Sequence, residues 1–255
     1  MKINIMIAAL AGAALAVGVA HAQTPVAKPL PTVPTLAPAK SHKLQVHVDA
    51  LKNGHLIASD YAFCMAAAQG HITAAPDKSP RIAWSKGPAG TKSYAIIMYD
   101  TDSPAEHREW MNQEGQTLTA AIQRKIFYHW LLVDIPANVT SLAEGADSEA
   151  RVAHGKQAPA KIGVHGRNDF TPTFAANDAL KGDYYGYDGP CVAWNDTNTH
   201  HYYFTVYALN VPSLGLSGTF DGAQVLAAMQ GKVLAQGDIV GFFSTNPAVM
   251  AKLPK

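Results

Sequence analysis

The sequence predicts a mainly β, antiparallel domain, on three observations. Residues 94–99 form an unbroken apolar and aromatic run of strand length, and residues 126–135 and 202–209 form two more. One late stretch, 220–231, carries apolar Phe220, Ala223, Leu226 and Ala227 at helical spacing, with Asp221 near its start and Gly231 as its stop. Strand and helix patterns do not alternate along the chain, which argues against a parallel α/β sheet.

The first run is the centre of the prediction. It has no polar alternation, as expected of a strand buried on both faces. Asp100, Asp102, Ser103 and Pro104 follow at once, and all are turn-forming types. Two carboxylates are therefore expected where a central strand leaves the core. A carboxylate so placed is partly desolvated and holds a nearby imidazole protonated.

The other elements follow in order. Leu44, Val46, Val48 and Ala50 alternate with polar residues, as in a half-buried strand. Asn53-Gly54 predicts a two-residue hairpin turn, with residues 55–58 returning as the second strand. Residues 61–69 read as a loop holding Cys64. Ser79-Pro80 leads into a short strand over 81–84, and Gly87-Pro88-Ala89-Gly90 turns into the central strand. Residues 105–125 are polar and predict an excursion with some helix. His129 lies inside the 126–135 strand, which Pro136 ends. Residues 137–183 are loop-rich, and so long an irregular span is usually functional or an insertion. Residues 186–191 are a tight turn cluster. His200-His201 opens the third strand, and 233–243 supplies two short strands or one strand and a turn. No internal repeat is present.

Of the 255 residues, 1–22 read as a secretory signal: Lys2, an Ala-rich apolar run, then Ala20-His21-Ala22 as a small-x-small cleavage pattern after which the segment is removed. Residues 23–42 hold five prolines and read as an extended linker. Residues 43–255 are long enough for one domain with a sizeable core. Removing the signal takes away Lys2 and no acid, so the formal charge falls from +1 to 0. A neutral chain with 15% charged residues and no Lys/Arg run lacks the footprint of a nucleic-acid binder and a polybasic membrane patch. The expected location is periplasmic or secreted. An even cysteine count in that compartment favours a Cys64–Cys191 disulfide, with two separately buried thiols as the alternative.

Polar chemistry gathers beside the buried strands at Asp100 and Asp102, at His129, and at His200 with Tyr202. Each has a plain reading: a turn cap, a satisfied core histidine, a packing residue. Taken together, Asp100-Thr101-Asp102-Ser103-Pro104, Tyr128-His129-Trp130, Gly189-Pro190 and His200-His201-Tyr202 resemble the ordered motifs of the phosphatidylethanolamine-binding proteins. That family includes the Raf kinase inhibitor protein, and the version here is similar to its bacterial, YbhB/YbcL-like branch, often exported. The segments 79–84, 87–93, Trp194-Asn195-Asp196 and Tyr207-Ala208-Leu209 fit that branch, so the resemblance runs from about Leu44 to about Phe243.

The resemblance implies an antiparallel β-sandwich, a large central sheet on a smaller one, with a helix in the C-terminal region and loop or helix insertions. It implies one small pocket for a phosphate or similar anion, lined by Asp100, Pro104, His129, Gly189, Pro190, His200 and Tyr202; Asp102 and Tyr187 beside them complete the candidate ligand-binding set. No cofactor, metal or catalytic residue is implied. Two imidazoles supply donors and become cations near neutrality, backbone N–H groups near Gly189 add more, and Asp100 orients a histidine. Anion binding is therefore expected to tighten as pH falls through the histidine pKa values. The chain departs from the pattern at Val192-Ala193, where the branch commonly has two prolines, and at His201, where many relatives have Arg. The excursions 105–125 and 143–183 are long for the family and stand to cover the mouth or form a surface. Two other functions compete. One is a periplasmic or secreted protein–protein regulator of the kinase- or protease-inhibitor kind. The other is a metal-assisted hydrolase, since Asp100, His129 and His200 are the ligand types of a two-histidine, one-carboxylate site. No Gly-x-Ser-x-Gly, His-Glu-x-x-His or Walker pattern supports the latter.

Overall fold

A computed structural model of the chain describes residues 27–36, 43–49, 51–158 and 160–254. The expected signal segment, 1–22, lies outside the described residues.

Eleven strands are described: β1 Val46–Val48, β2 His55–Leu56, β3 Cys64–Ala66, β4 Ile72–Ala74, β5 Ile82–Trp84, β6 Ser93–Pro104, β7 Arg124–Pro136, β8 Ser141–Leu142, β9 Val164–His165, β10 His200–Leu209 and β11 Val233–Phe243. The helices are α1 Phe170–Thr173, α2 Gly222–Met229 and α3 Pro247–Met250, with one-turn 3-10 segments at Ser59–Tyr61 and Arg108–Trp110. Six strands form the large sheet in the order β2-β11-β10-β6-β7-β9, three form a smaller sheet, β1-β5-β8, and β3 pairs with β4. All pairings are antiparallel except β2 with β11.

The apolar runs have their expected cause. Tyr94, Ile96 and Met98 of β6 pack with Trp130, Leu132, Phe204 and Val206 against Val48, Ile82 and Trp84 of the small sheet. Ala95, Ile97 and Tyr99 face the opposite way, onto Leu131, Tyr207 and the Val225–Met229 side of α2. The sheet is covered on both faces, so alternation vanishes from its central strands. Each large side chain sealed there contributes roughly 1.5–3 kcal/mol. Helix α2 starts on a reciprocal cap: Asp221 accepts the Gln224 N–H at 2.9 Å, and the Gln224 side chain accepts the Asp221 N–H at 3.0 Å. Residues 27–36 of the Pro-rich stretch lie on the α2 side, where Val33 and Leu36 pack against the core and the Leu36 N–H meets Gln236 Oε1 at 3.0 Å.

Four local expectations are corrected. Asn53-Gly54 does turn, with Gly54 at φ +74°, but β2 goes to Gly241 and Phe242 of β11 and β1 pairs with β5, so no hairpin forms. Residues 100–104 are not a turn; β6 runs through them to Pro104, with a register irregularity between Asp100 and Ser103. The 61–69 segment holds a strand, β3, rather than loop alone. Residues 233–243 form one continuous strand, in which Gly237 is required because a Cβ there would run into the Leu44 carbonyl.

Cys64 on β3 is bonded to Cys191 across 127 residues, with Cα atoms 4.8 Å apart. Closing so long a loop restricts the unfolded chain, and replacing both cysteines by serine is expected to cost about 2–5 kcal/mol. Denaturant unfolding of the two proteins under oxidising conditions measures it; a difference below about 1 kcal/mol would show that unfolded-state restriction contributes little here.

Candidate functional site

The site is built on neighbouring strands. On β6 and β10, Asp100 pairs with Tyr202, so the side chain of His200, two residues back on β10, reaches Asp100. His200 Nδ1 lies 2.7 Å from Asp100 Oδ2, and its Nε2 lies 3.2 Å from Asp196 Oδ2. Arg124, at the start of β7, donates to both oxygens of Asp196 at 2.5 and 3.2 Å and to the carbonyls of Asp102 and Thr119, each at 2.8 Å. These four side chains are at most 5% exposed. Two carboxylates and two cations balance, which is the condition for burying them at all. Burial alone lowers the His200 pKa, but the charges and hydrogen bonds of Asp100 and Asp196 outweigh it and lift the ring to about 10. Burial likewise works to raise Asp196, and His200 and Arg124 overcome it, holding the carboxyl below its usual range.

His129 behaves in the opposite way. It sits among Phe127, Phe170 and Tyr202, with ring centroids at 4.8, 5.4 and 5.2 Å. Burial pushes its pKa down to about 4, more than Asp100 and the carbonyls of Asp188 and Gly189 restore. Nδ1 lies 2.8 Å from the Asp188 carbonyl oxygen, so the proton of the neutral ring sits there and Nε2 keeps its lone pair.

Asp100, His129 and His200 line a cavity of about 100 Å³. That is room for several waters, enough for a phosphate-sized group. Phe127, Phe170, Phe174, Met111 and the Cys191–Ala193 segment make its apolar walls. Ser103, Pro104, Asn112, Thr173 and Arg108 line the remainder. The Arg108 guanidinium spans from the Pro104 carbonyl at 3.4 Å to Thr173 Oγ1 at 3.3 Å, and among the described residues it forms no ion pair. The two long excursions therefore wall the cavity: Arg108–Trp110 lies in one and α1 in the other. Asn195 suspends the first of them. Its Oδ1 accepts the Asn112 N–H at 3.0 Å, and its Nδ2 donates to the carbonyls of Trp110, Gln113 and Gln116.

Of the nine residues in the candidate set, Asp100, Pro104, His129 and His200 line the cavity, and Asp102, Tyr187, Gly189, Pro190 and Tyr202 do not. The irregularity after Asp100 turns Asp102 to His201, whose N–H and Nδ1 lie 3.0 and 2.9 Å from its Oδ2. Tyr202 is sealed in the core behind His129, its hydroxyl without a partner among the described residues. Tyr187 donates to the Tyr61 carbonyl at 2.5 Å. The Gly189 N–H is no anion donor: Asp77 Oδ1 takes it at 2.7 Å, and a Cβ on Gly189 would strike the Tyr61 carbonyl. Pro190 offers its carbonyl to the N–H groups of Phe63 and Cys64. Lys156, from the second excursion, clamps the buried carboxylates of Asp77 and Asp188 and so fixes this turn behind His129. The expected pair of cationic imidazole donors is also corrected. His129 is neutral, and both nitrogens of His200 are engaged by carboxylates, so neither ring titrates near pH 6 to 7. No group of three His, Cys, Asp or Glu among the described residues is arranged to hold a metal ion.

Arg108, Thr173 and the phenylalanines are absent from the candidate set. Phe127 was within reach, since strand alternation puts it on the face of His129. Arg108 sits in an aperiodic polar stretch that carries no local signal.

The two histidines set opposite limits on stability. His200, with its folded pKa raised, contributes fully below its ordinary 6.5, and the contribution is lost as pH rises through about 10. His129, with its folded pKa depressed, contributes above 6.5, and the contribution is lost as pH falls toward about 4. The latter shift corresponds to roughly 3 kcal/mol. Asp188, pushed up chiefly by burial, titrates in the opposing sense, so the comparison needs a variant. Unfolding free energies of the wild type and His129→Gln, measured between pH 4 and 6.5, are expected to show the wild type alone losing this increment. Parallel profiles would clear the ring of that role.

Residues 47–244 match the model of the phosphatidylethanolamine-binding protein family. A UPF0098 protein of Aquifex aeolicus is 33% identical over 170 residues, 67% of this chain and 76% of that one. The UPF0098 protein YbcL of Escherichia coli is 29% identical over 201 residues, 79% and 87% of the two chains. Its crystal structure, described as a new member of the mammalian PEBP family, aligns with a TM-score of 0.55 at 26% identity over 80% of this chain and 99% of that one. A Chlamydia trachomatis protein whose crystal structure is described as that of a putative PEBP homologue, at 24% identity and TM-score 0.53, shares the fold. With the family model covering most of the sequence, this chain belongs to the phosphatidylethanolamine-binding protein family.

Proposed function

We propose that this family member is an exported binding protein whose cavity takes a small phosphate-bearing ligand, a phospholipid head group or a comparable phosphomonoester, and does not turn it over. One observation carries the reading: Arg108, a cation without an ion-pair partner among the described residues, lines a phosphate-sized cavity whose buried charges already cancel. An anion entering there meets a guanidinium that acts on Asp169 only at a distance and has several donors left to give. The apolar walls suit the carbon skeleton of an ester. Against turnover stands the state of His200, which has both nitrogens committed to carboxylates and so is not poised as a base. The Cys64–Cys191 disulfide supports an oxidising compartment.

Calorimetric titration with phosphoethanolamine tests this. The wild-type protein is expected to bind saturably, and Arg108→Ala to bind about 10- to 100-fold more weakly, the value of a charge-assisted contact. Arg108 is a better probe than His200, whose removal strands buried carboxylates and costs about 3–5 kcal/mol of stability. Saturable binding that ignores Arg108→Ala would remove this reading.

A further inference from the structure

We infer that the cavity selects the singly protonated form of a phosphomonoester, its P–OH donated to His129 Nε2 or Asp100 and its anionic oxygens turned to Arg108. The inference rests on the phosphate reading above and narrows it to one protonation state.

The argument is an inventory of donors and acceptors. The deep wall of the cavity offers acceptors. His129 presents a lone pair at Nε2, because its proton is drawn to Nδ1 by the Asp188 carbonyl 2.8 Å away. Asp100 Oδ1 accepts the Asp102 N–H, at 2.7 Å, and no other hydrogen bond among the described residues, while its Oδ2 faces His200. The charged and titratable groups facing His129 are Asp100 from β6, His200 and Tyr202 from β10, and Asp188 from the turn before Gly189. Lys156 is held behind Asp188 and does not line the cavity. The donor side is Arg108, with Thr173, Ser103 and Asn112, and the charged groups acting on Arg108 are Asp169 and Lys125. A fully ionised phosphate is an acceptor on every oxygen. Pressed into this space, it would set an oxygen against the Nε2 lone pair and a second charge against Asp100, with Arg108, already acting on Asp169, to answer two charges. A monoanion satisfies both walls. Its hydroxyl gives a proton inward, and its charge matches that of the Arg108 guanidinium.

The consequence is a pH dependence carried by the ligand. His129 stays neutral and His200 stays charged across the neutral range, so neither ring drives a change there. The phosphomonoester loses its second proton near pH 6 and is disfavoured above it.

The test pairs phosphoethanolamine with its sulfate counterpart, ethanolamine O-sulfate. Both carry the same ammonium and chain, and the sulfate is a monoanion with no ionisable proton to donate. Calorimetry on the wild-type protein at about pH 5.5, below the phosphate's second pKa of about 6, is expected to give at least about tenfold tighter binding of the phosphate, the worth of one hydrogen bond to a buried acceptor. The phosphate's affinity is expected to fall about tenfold per pH unit above about 6, while the weaker sulfate affinity stays flat. In His129→Gln, whose amide donates as well as accepts, the preference is expected to shrink toward parity. Equal binding of the two esters at every pH would overturn the inference and leave phosphate binding standing. Failure of both esters to bind would overturn the inference together with the reading beneath it.

Discussion

Arg124, Asp196, His200 and Asp100 form one unbroken chain of buried charge, and the geometry of the site depends on it. Its members come from β7, the 194–199 loop, β10 and β6, so three neighbouring strands and the loop behind them are held by the same contacts. The charges alternate in sign and sum to zero. Such a chain is stable only when complete, since any one charge left alone in that environment carries a desolvation penalty of several kcal/mol. Completion also explains why two histidines on strands either side of β6 behave oppositely. His200 lies between two carboxylates and stays charged. His129 faces aromatic rings and a backbone carbonyl and stays neutral.

Around this centre the two long excursions close the cavity. The first hangs from Asn195, next in sequence to Asp196, so the residue that anchors the rim and the residue that anchors the charge chain are adjacent. Lys28 ties the Pro-rich segment to the same excursion, through Glu106 at 2.8 Å and the Ala120 carbonyl at 3.1 Å. The second excursion supplies Phe170, Phe174 and Thr173 on one side and Lys156 on the other, where it secures the turn that orients His129.

What the sequence disclosed, and what it concealed, follows from the range of the forces involved. Burial on both faces erases alternation, so residues 94–99, 126–135 and 202–209 could be recognised as central strands. The reciprocal cap of α2 lies within three residues of itself and was equally plain. Asn53-Gly54 announced a turn correctly but not the strand that follows it, because β2 pairs with β11 nearly two hundred residues away. The carboxylates and histidines were found as types. The charge that Asp100 holds on a neighbouring imidazole was foreseen and falls on His200, but the neutrality of His129 was not, because Phe170 and Asp188 from distant segments decide it. Gly189 looked like an open nest and is a closed one, its N–H consumed by Asp77 more than a hundred residues earlier. Arg108 stands in a polar, aperiodic loop, where only the folded position of Thr173 and Pro104 gives it significance.

The division of the cavity between sheet and loops also bears on how such a protein diversifies. Asp100 and His200 are pinned by cross-strand register and by a charge balance that neither leaves without stranding the other, and His129 is held by the Asp188 carbonyl and aromatic packing. Arg108, Met111, Phe170 and Phe174 ride on excursions joined to the sheet at their ends, where insertions cost little beyond loop closure. Space and rim charge in the cavity are therefore set by loops that can be lengthened or shortened at little cost, apart from the polar floor.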